Sequence, residues 1–374
     1  MLPPPFATSR SASPEDEPDK QKGCKLVFTT ARIALPADCL PGWLVHLFAR
    51  QTFVLGAVLI FGACAGPDSA NVASFRVALL TPGPISDQAW NAGAYAGLMR
   101  IRDSLGAQTS HIQVKTPADF EENFRQYGAS GYSLVIGHGF EFQDAAARVA
   151  PEYPRTVFVT TGGETILPNL AALSFAFDEP SFLAGMAAAA VSKTDVVACV
   201  GGTELPPVKA SFTAFTAGVR TLKPNARVII TYIGNWDDMS AGKEQALALM
   251  RRRVDVIFQN ADAAGLGVFQ AAKENDGVLV VGSNSNQNAI VPGSTIGSVV
   301  IDLPHAFLLV AREVRAGGFA PHVIRLGTRD DVVRWEPSPE FDRRTMLAVR
   351  QRIASVQAEM RAGSFVFPTT PAAK

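Results

Sequence analysis

Residues 75–98, FRVALLTPGPISDQAWNAGAYAGL, decide the fold. Their first apolar residues predict a buried strand, and a turn rich in Pro and small residues follows it. Ser86 or Asp87 would then cap a helix. Open α/β sheets bind ligands where a strand gives way to a helix. Asp87, Trp90 and Asn91 therefore form a cluster that could face a ligand, although the indole of Trp90 could equally belong to the core.

The alternation of strand and helix continues to about residue 316 and predicts doubly wound, mostly parallel sheets. A Gly- and Ala-rich helix over 178–193 would carry the chain into a second, similar half. The pattern therefore predicts an α/β fold of two lobes, with more than one crossing between them and a hinge that lets them close on a ligand. A single long amphipathic helix is predicted over 339–362.

The composition excludes several classes of function. The 374 residues suit two domains, and 34 Lys and Arg balance 34 Asp and Glu without a basic stripe, which argues against nucleic acid as a partner. The sequence contains no CxxC, HxxxH, P-loop or GxSxG motif, and the GxG formed by Gly265 and Gly267 at a helix start is weak evidence for a nucleotide site. We therefore expect no metal, no cofactor and no catalytic residues.

A short apolar run precedes Cys64. The eleven residues FVLGAVLIFGA at 53–63 are too few to span a bilayer but suit the core of a signal peptide, predicted over 44–64. The small residues Gly62 and Ala63 before Cys64 resemble a bacterial lipobox, with Phe61 in place of the usual aliphatic residue. Cys64 is therefore the expected lipidation site and residues 65–74 a polar tether. An ordinary signal peptide or a buried helix is the alternative.

The two ends of the chain carry no structural pattern. Residues 1–43 are rich in Pro and charge, so we expect them to be disordered. A signal peptide so far from residue 1 suggests a true start near 44–47. Residues 369–374 are predicted to be a tail.

Seven segments in order resemble the basic membrane protein family, the lipid-anchored substrate-binding proteins of ABC transporters that include the bacterial purine nucleoside receptor. These segments are GPISDQAWNAGAYAGL, VIGHGFEFQDAAARVAPEYP, FDEPSFLAGMAAA, VGGTELPPVKASFTAFTAG, YIGNWDDMSAGKEQAL, DVIFQNADAAGLGVFQAAKE and VVGSNSNQ.

The resemblance implies a type I periplasmic-binding-protein fold and no catalysis. It also implies a small-molecule ligand, an ABC permease and ATPase as partners, and a lipid anchor at the periplasmic face of the membrane or the cell surface. The expected N-terminal lobe is 75–178 plus about 300–325. The expected C-terminal lobe is 179–299 plus part of 326–368.

The family holds a purine ring between two aromatic side chains, one from each lobe. The matching positions are Trp90 and Trp236, and both lie in polar loop sequences rather than in apolar stripes. Stacking on both faces suits a flat heteroaromatic ligand. Further positions that match the family's pocket are Asp87, Asn91, Gly139 and Phe140. His138, beside them, is expected to be a satisfied loop histidine.

This chain departs from the nucleoside-binding members at three places. Asn284 and Asn286 replace acidic residues, one of which takes the ribose hydroxyls, and Ile301 replaces a Lys. Asp262 stands where the family usually has Gly, and it could supply the missing carboxylate or contact an amino group of a base. Asp262 and Asn284 are therefore included among the ligand-binding candidates. A bare purine or another flat heterocycle competes with a nucleoside as the ligand.

Two other functions are compatible with parts of the sequence. Asp87, Asp237, Asp238 and Asp262 could be imagined as the metal cluster of a nucleoside-processing enzyme, but their spacing matches no metal motif. A ligand-sensing regulator would share the fold, yet residues 1–70 lack a helix-turn-helix pattern.

Overall fold

The computed structural model describes residues 74–368. Within that range, twelve strands form two six-stranded sheets. In chain order the strands are β1 (Arg76–Thr81), β2 (Gln108–Gln113), β3 (Leu134–Gly137), β4 (Val157–Thr161), β5 (Leu170–Phe175), β6 (Val196–Gly201), β7 (Arg227–Tyr232), β8 (Val256–Asn260), β9 (Leu279–Asn284), β10 (Thr295–Ile301), β11 (Val323–Leu326) and β12 (Val333–Pro337). The first sheet has the order β11-β5-β4-β3-β1-β2, and the second has the order β12-β10-β9-β8-β6-β7.

The strands are parallel except for the antiparallel pair β10 and β12. Central strands such as β3 and β8 are buried along their whole length, as expected for parallel strands with helices on both faces. Their carboxyl ends gather at one edge of each sheet, which is where such folds bind ligands.

Within the described range there are ten helices of six or more residues, of which eight lie between strands and two follow β12. They are α1 (Trp90–Leu105), α2 (Pro117–Ala129), α3 (Gln143–Val149), α4 (Asp178–Val191), α5 (Pro206–Leu222), α6 (Met239–Met250), α7 (Asp262–Glu274), α8 (Leu303–Arg315), α9 (Pro339–Arg344) and α10 (Leu347–Ala362). The chain passes between the sheets three times: after β5, after β10 and after β11. After the second passage α8 packs on α1, where Gly97 brings its backbone against Phe307.

The Gly- and Ala-rich helix α4 packs closely against α5, as its composition predicts. A Cβ atom on Gly185 would overlap the carbonyl oxygen of Phe215, and one on Gly218 would overlap that of Phe182. Glycine is therefore required on both helices. Helix α4 also contacts β10 and β12, so this helix pair packs on the second sheet.

The prediction of one long helix over 339–362 is wrong. Helix α9 ends at Arg344, Thr345 and Met346 have extended backbones, and α10 starts at Leu347. The break lets Ile353 and Val356 of α10 join the core, while Met346 stays exposed. The short strands β11 and β12, which the sequence did not reveal, precede this region.

Several predictions concern residues outside the described range. They are the disordered stretch 1–43, the signal peptide 44–64 with the lipidation site Cys64, the tether 65–74 except its last residue, and the tail 369–374. In residues 74–368, none of the helices has the length and apolar character needed to cross a bilayer.

Candidate functional site

A cavity of about 630 Å³ lies at the carboxyl ends of the strands of both sheets. From the first lobe it is lined by residues that follow β1, β3 and β4, among them Gly83, Gly139 and Gly162. From the second lobe it is lined by residues at or after the ends of β7, β8, β9 and β10. The size is that of a small-molecule site. Seven of the eight residues predicted to bind ligand line this wall: Trp90, Asn91, Gly139, Phe140, Trp236, Asp262 and Asn284.

Asp87 is the predicted residue that does not reach the cavity wall. It is 2% exposed, and its carboxylate accepts hydrogen bonds from the backbone N–H groups of Ala89, Asn91 and Ala92 at 3.0, 2.7 and 2.9 Å. It also accepts one from Asn91 Nδ2 at 2.8 Å. These donors belong to the first turn of α1, whose N–H groups have no partner within the helix. Asp87 therefore fixes the start of α1, which carries Trp90 and Asn91.

Trp90 is stacked on His138, with ring centroids 4.0 Å apart and an angle of 25° between the planes. His138 Nε2 lies 3.1 Å from the carbonyl oxygen of Trp90, so Nε2 carries the proton and donates. Its Nδ1 then accepts from the Thr161 hydroxyl at 3.2 Å. Burial lowers the pKa of His138 to about 3, so the ring is neutral at physiological pH. The expectation of a satisfied histidine is thus confirmed, and only one face of Trp90 remains for a ligand.

Gly139 and Phe140 follow β3 at the cavity wall, and Phe140 opens a short 3₁₀ helix, Phe140–Phe142. The carboxylate of Glu141 folds back over Gly139, where a Cβ atom would lie 2.5 Å from Oε2. Glu141 is accessible through the cleft, but the surrounding protein desolvates its carboxyl group and raises its pKa.

Trp236 lies in the loop that joins β7 to α6. Asn235 Oδ1 accepts from the backbone N–H groups of Asp237 and Asp238 at 3.1 and 2.8 Å, and Asp238 caps α6. The Trp236 carbonyl accepts from the N–H of Ala264 at 2.9 Å. Its indole covers the backbone of Gly202, where a Cβ atom would overlap the ring. The loop therefore holds the ring at the cavity wall from the second lobe.

Asp262 and Asn284 meet at the end of the second sheet. Asn284 Nδ2 donates to Asp262 Oδ1 at 3.1 Å and lies 3.4 Å from Asn260 Oδ1. Both residues have left-handed backbones, with φ of 48° and 65°. That conformation explains why Gly suits position 262 in the family, since Gly adopts it without strain. Burial, followed by the charge of Asp87, raises the pKa of the Asp262 carboxyl well above its ordinary value.

One hydrogen bond joins the two lobes beside the cavity. Ser285 Oγ, in the loop after β9, donates to the carbonyl oxygen of Gln88 at 2.6 Å. Gln88 lies in the loop before α1 and has a left-handed backbone with φ of 57°. The contact connects the loop just before Trp90, the first residue of α1, to the loop just after Asn284, the last residue of β9.

The sequence did not identify several residues of the wall. They include Gln143, Thr161, Glu164, Asp178, Asn260 and Arg325. Asn260 ends β8 and could have been found from its position alone. Arg325 and Asp178, bonded at 2.9 Å, come from elements that are far apart in the chain, so no local signal points to them.

No group of three or more His, Cys, Asp or Glu side chains in residues 74–368 is arranged to hold a metal ion.

The chain matches a family model described as ABC transporter substrate-binding protein PnrA-like, named Bmp, over residues 75–360. It is 28% identical over 262 residues to the ABC transporter nucleoside-binding protein BmpA of Lactococcus lactis, a match that covers 65% of this chain and 74% of that protein.

Two solved structures show the same fold. A solute-binding protein of an ABC transporter system from Aeropyrum pernix K1 superposes with a TM-score of 0.72 at 20% identity, covering 79% of this chain and 94% of its own. A transcriptional activator of the comK gene from Bacillus halodurans superposes with a TM-score of 0.67 at 24% identity, and the match covers 79% of this chain and 100% of that chain. At these identities the likeness concerns the fold alone. It confirms the two-lobed periplasmic-binding-protein architecture.

Proposed function

The chain belongs to the Bmp family of PnrA-like ABC transporter substrate-binding proteins, and we propose that it captures a purine nucleoside or purine-like heterocycle for import. The ligand lies in the cleft between the lobes and stacks between Trp90 and Trp236. One observation carries this proposal: an indole from each lobe lies on the wall of a single cavity at the carboxyl ends of the two sheets.

The side chains of the cavity wall favour the binding of a flat aromatic ring. Base-on-aromatic stacking contributes about 1–3 kcal/mol per base. His138 behind Trp90 and the Gly202 backbone behind Trp236 hold the two indoles in place without a ligand. Pre-ordered side chains lose less entropy on binding, which favours affinity. The name of the Lactococcus lactis relative, a nucleoside-binding protein, agrees with this class of ligand.

The sugar end of the ligand is less constrained than the ring. The side-chain amide of Asn284 donates its hydrogen bond to Asp262. The apolar Ile301 lines the wall at the position where nucleoside-binding members have Lys. The carboxylate of Asp262 is then the strongest acceptor at this end of the cavity. A nucleobase without ribose therefore competes with a nucleoside as the ligand.

The partners and location follow from the family. We propose that an ABC permease and ATPase receive the ligand, and that a lipid on Cys64 anchors the protein outside the cytoplasm. Metabolic labelling with a fatty-acid probe tests the anchor. The label should be incorporated by the wild-type protein and be absent from the Cys64→Ser variant, and equal labelling of the two would contradict it.

Calorimetry against purine bases, nucleosides and other heteroaromatics tests the binding function. We expect at least one purine to bind with micromolar or better affinity and to quench Trp fluorescence. Failure of every heteroaromatic to bind would contradict the proposal, and turnover of a bound nucleoside would favour an enzyme instead.

A further inference from the structure

The wall of the cleft is acidic although the whole chain has no net charge. Five carboxylates line it, and Arg325 is the single Lys or Arg residue among the lining residues. Arg325 lies 2.9 Å from Asp178, so it neutralises that carboxylate. The other four carboxylates form no ion pair within residues 74–368: Glu141, Glu164, Asp237 and Asp262.

The negative charge converges on Asp262, which is 8% exposed. The carboxylates of Asp87, Glu141 and Asp237 lie close enough to act on its ionisation, and all three disfavour its charged form. Its recorded side-chain partner is the uncharged amide of Asn284. His138 is buried and neutral, so it brings no compensating charge to the wall. A buried carboxylate without a cation is unfavourable unless a ligand supplies one.

Asn91, another residue of the wall, carries a buried acceptor that lacks a donor among the described residues. Asn91 lines the cavity at 3% exposure and gives its amide N–H to Asp87. Its Oδ1 is buried and accepts no hydrogen bond from residues 74–368. Buried polar atoms are nearly always hydrogen-bonded, so this oxygen is an acceptor left without a donor in the described part of the unliganded protein.

We infer that the ligand of the proposed stacking cleft is a heteroaromatic cation, with its positive charge on the ring or on an attached nitrogen, rather than a neutral nucleoside. This inference rests on the proposed function. Indole faces bind cations more strongly than other aromatic side chains do, so the same two Trp rings serve a charged ring. Carboxylates of one sign in a cleft also focus the field and speed the capture of a cation.

A neutral nucleoside fits these groups less well. Its ribose hydroxyls would donate to one carboxylate, most directly Asp262. The remaining carboxylates and the Asn91 acceptor would stay without a counter-charge or donor. A ring that carries positive charge balances them through the cleft, since Coulomb interactions are strong where the dielectric is low.

Two isomeric probes separate charge from shape. 1-Methyladenosine is a cation at neutral pH, whereas its isomer N6-methyladenosine has the same non-hydrogen atoms and is neutral. Titration of each into the purified protein should give tighter binding of 1-methyladenosine by about tenfold or more. Rising salt should reduce this preference, because ions screen the carboxylates at the mouth of the cleft.

Two matched variants test whether the preference for the cationic isomer arises from Asp262 in the cleft. Asp262→Asn keeps the size of the side chain, and Asn tolerates a left-handed backbone. The ratio of the two affinities should fall towards one in this variant. Asp331→Asn is the control, because Asp331 also has a left-handed backbone, with φ of 55°, but is absent from the cavity lining. It should leave both affinities unchanged.

Either of two results would contradict the inference of a cationic ligand and leave the proposed function intact. One is equal affinity for the isomers or tighter binding of the neutral one. The other is a cation preference that survives in Asp262→Asn. If no heteroaromatic of either charge binds, the proposed function itself fails, so the two failures are distinguishable.

Discussion

The indole of Trp90 lies on the imidazole of His138, with 4.0 Å between the ring centroids, and His138 donates a hydrogen bond to the carbonyl oxygen of the same Trp90. The histidine therefore fixes both the backbone and the ring of the residue that we propose to stack on the ligand. It also covers one face of the indole, so the ligand meets the other face only. Asp87 fixes the same segment from the helix start.

His138 should make the protein less stable in mild acid. Its pKa is about 3 in the folded protein, against an ordinary value of 6.5, so below pH 6.5 the unfolded chain binds a proton that the folded chain does not. The free energy of unfolding should then fall by up to about 1.4 kcal/mol for each pH unit between 6.5 and 3. Urea unfolding at several pH values measures this slope. In His138→Gln this slope should be smaller by the contribution of one titrating group. The same slope in the variant and the wild type would contradict the low pKa of His138.

Asp262→Asn should stabilise the unliganded protein at neutral pH. The pKa of Asp262 is raised in the folded state, so ionisation above the ordinary carboxyl pKa disfavours folding. The variant removes that effect, and the melting temperature should rise by about 2 °C or more. The gain should vanish at acid pH, where Asp262 is protonated in both states. A lower melting temperature for the variant at pH 7 would show that the charge of Asp262 does not destabilise the folded protein.

Asp87→Ala should destabilise the protein by about 1–3 kcal/mol, because it leaves several N–H groups of α1 without an acceptor in a buried place. Asp119→Ala is a matched control. Asp119 belongs to the exposed capping box of α2, so its loss should have a smaller effect, at most about 1 kcal/mol. Urea unfolding compares the two variants. Equal effects would mean that Asp87 acts as an ordinary surface cap.

Ser285→Ala should speed ligand release. Removing its hydroxyl deletes the hydrogen bond to Gln88 that joins the lobes, worth about 0.5–1.5 kcal/mol or roughly 2- to 12-fold in affinity. Stopped-flow fluorescence measures the dissociation rate. Ser355→Ala, on the surface of α10, should leave that rate unchanged. A dissociation rate in Ser285→Ala equal to that of the wild type would show that this contact does not slow ligand release.

The sequence predicted the architecture because buried parallel strands are continuous apolar runs. The predicted alternation of strand and helix corresponds to the two mostly parallel sheets and their helices in the structure. Strands β11 and β12 were missed because VIRL and VRWEP carry charged residues, and pairing with distant strands defines them. The long C-terminal helix was predicted wrongly because its amphipathic pattern continues through Thr345, whose extended backbone is set by tertiary packing.

Prediction of the site was limited because local sequence patterns do not show which side chains the fold brings together. Loop sequence pointed to Trp90 and Trp236 at the wall but did not show that Asp87 faces inward, towards the N–H groups of α1. The acidic character of the wall was also hidden. Glu141, Glu164 and Asp237 belong to three separate segments of the chain, and only the fold brings their carboxylates to one cavity.

Calorimetric titration of the wild type, Trp90→Ala and Trp236→Ala with the tightest-binding heteroaromatic tests the central claim most directly. Each Ala variant should lose about 1–3 kcal/mol of binding free energy, or roughly 5- to 150-fold in affinity, because each removes one stacking face. Trp90→Phe and Trp236→Phe should recover part of the loss. Wild-type affinity in either Ala variant, with the fold intact by circular dichroism, would contradict a ligand held between the two rings.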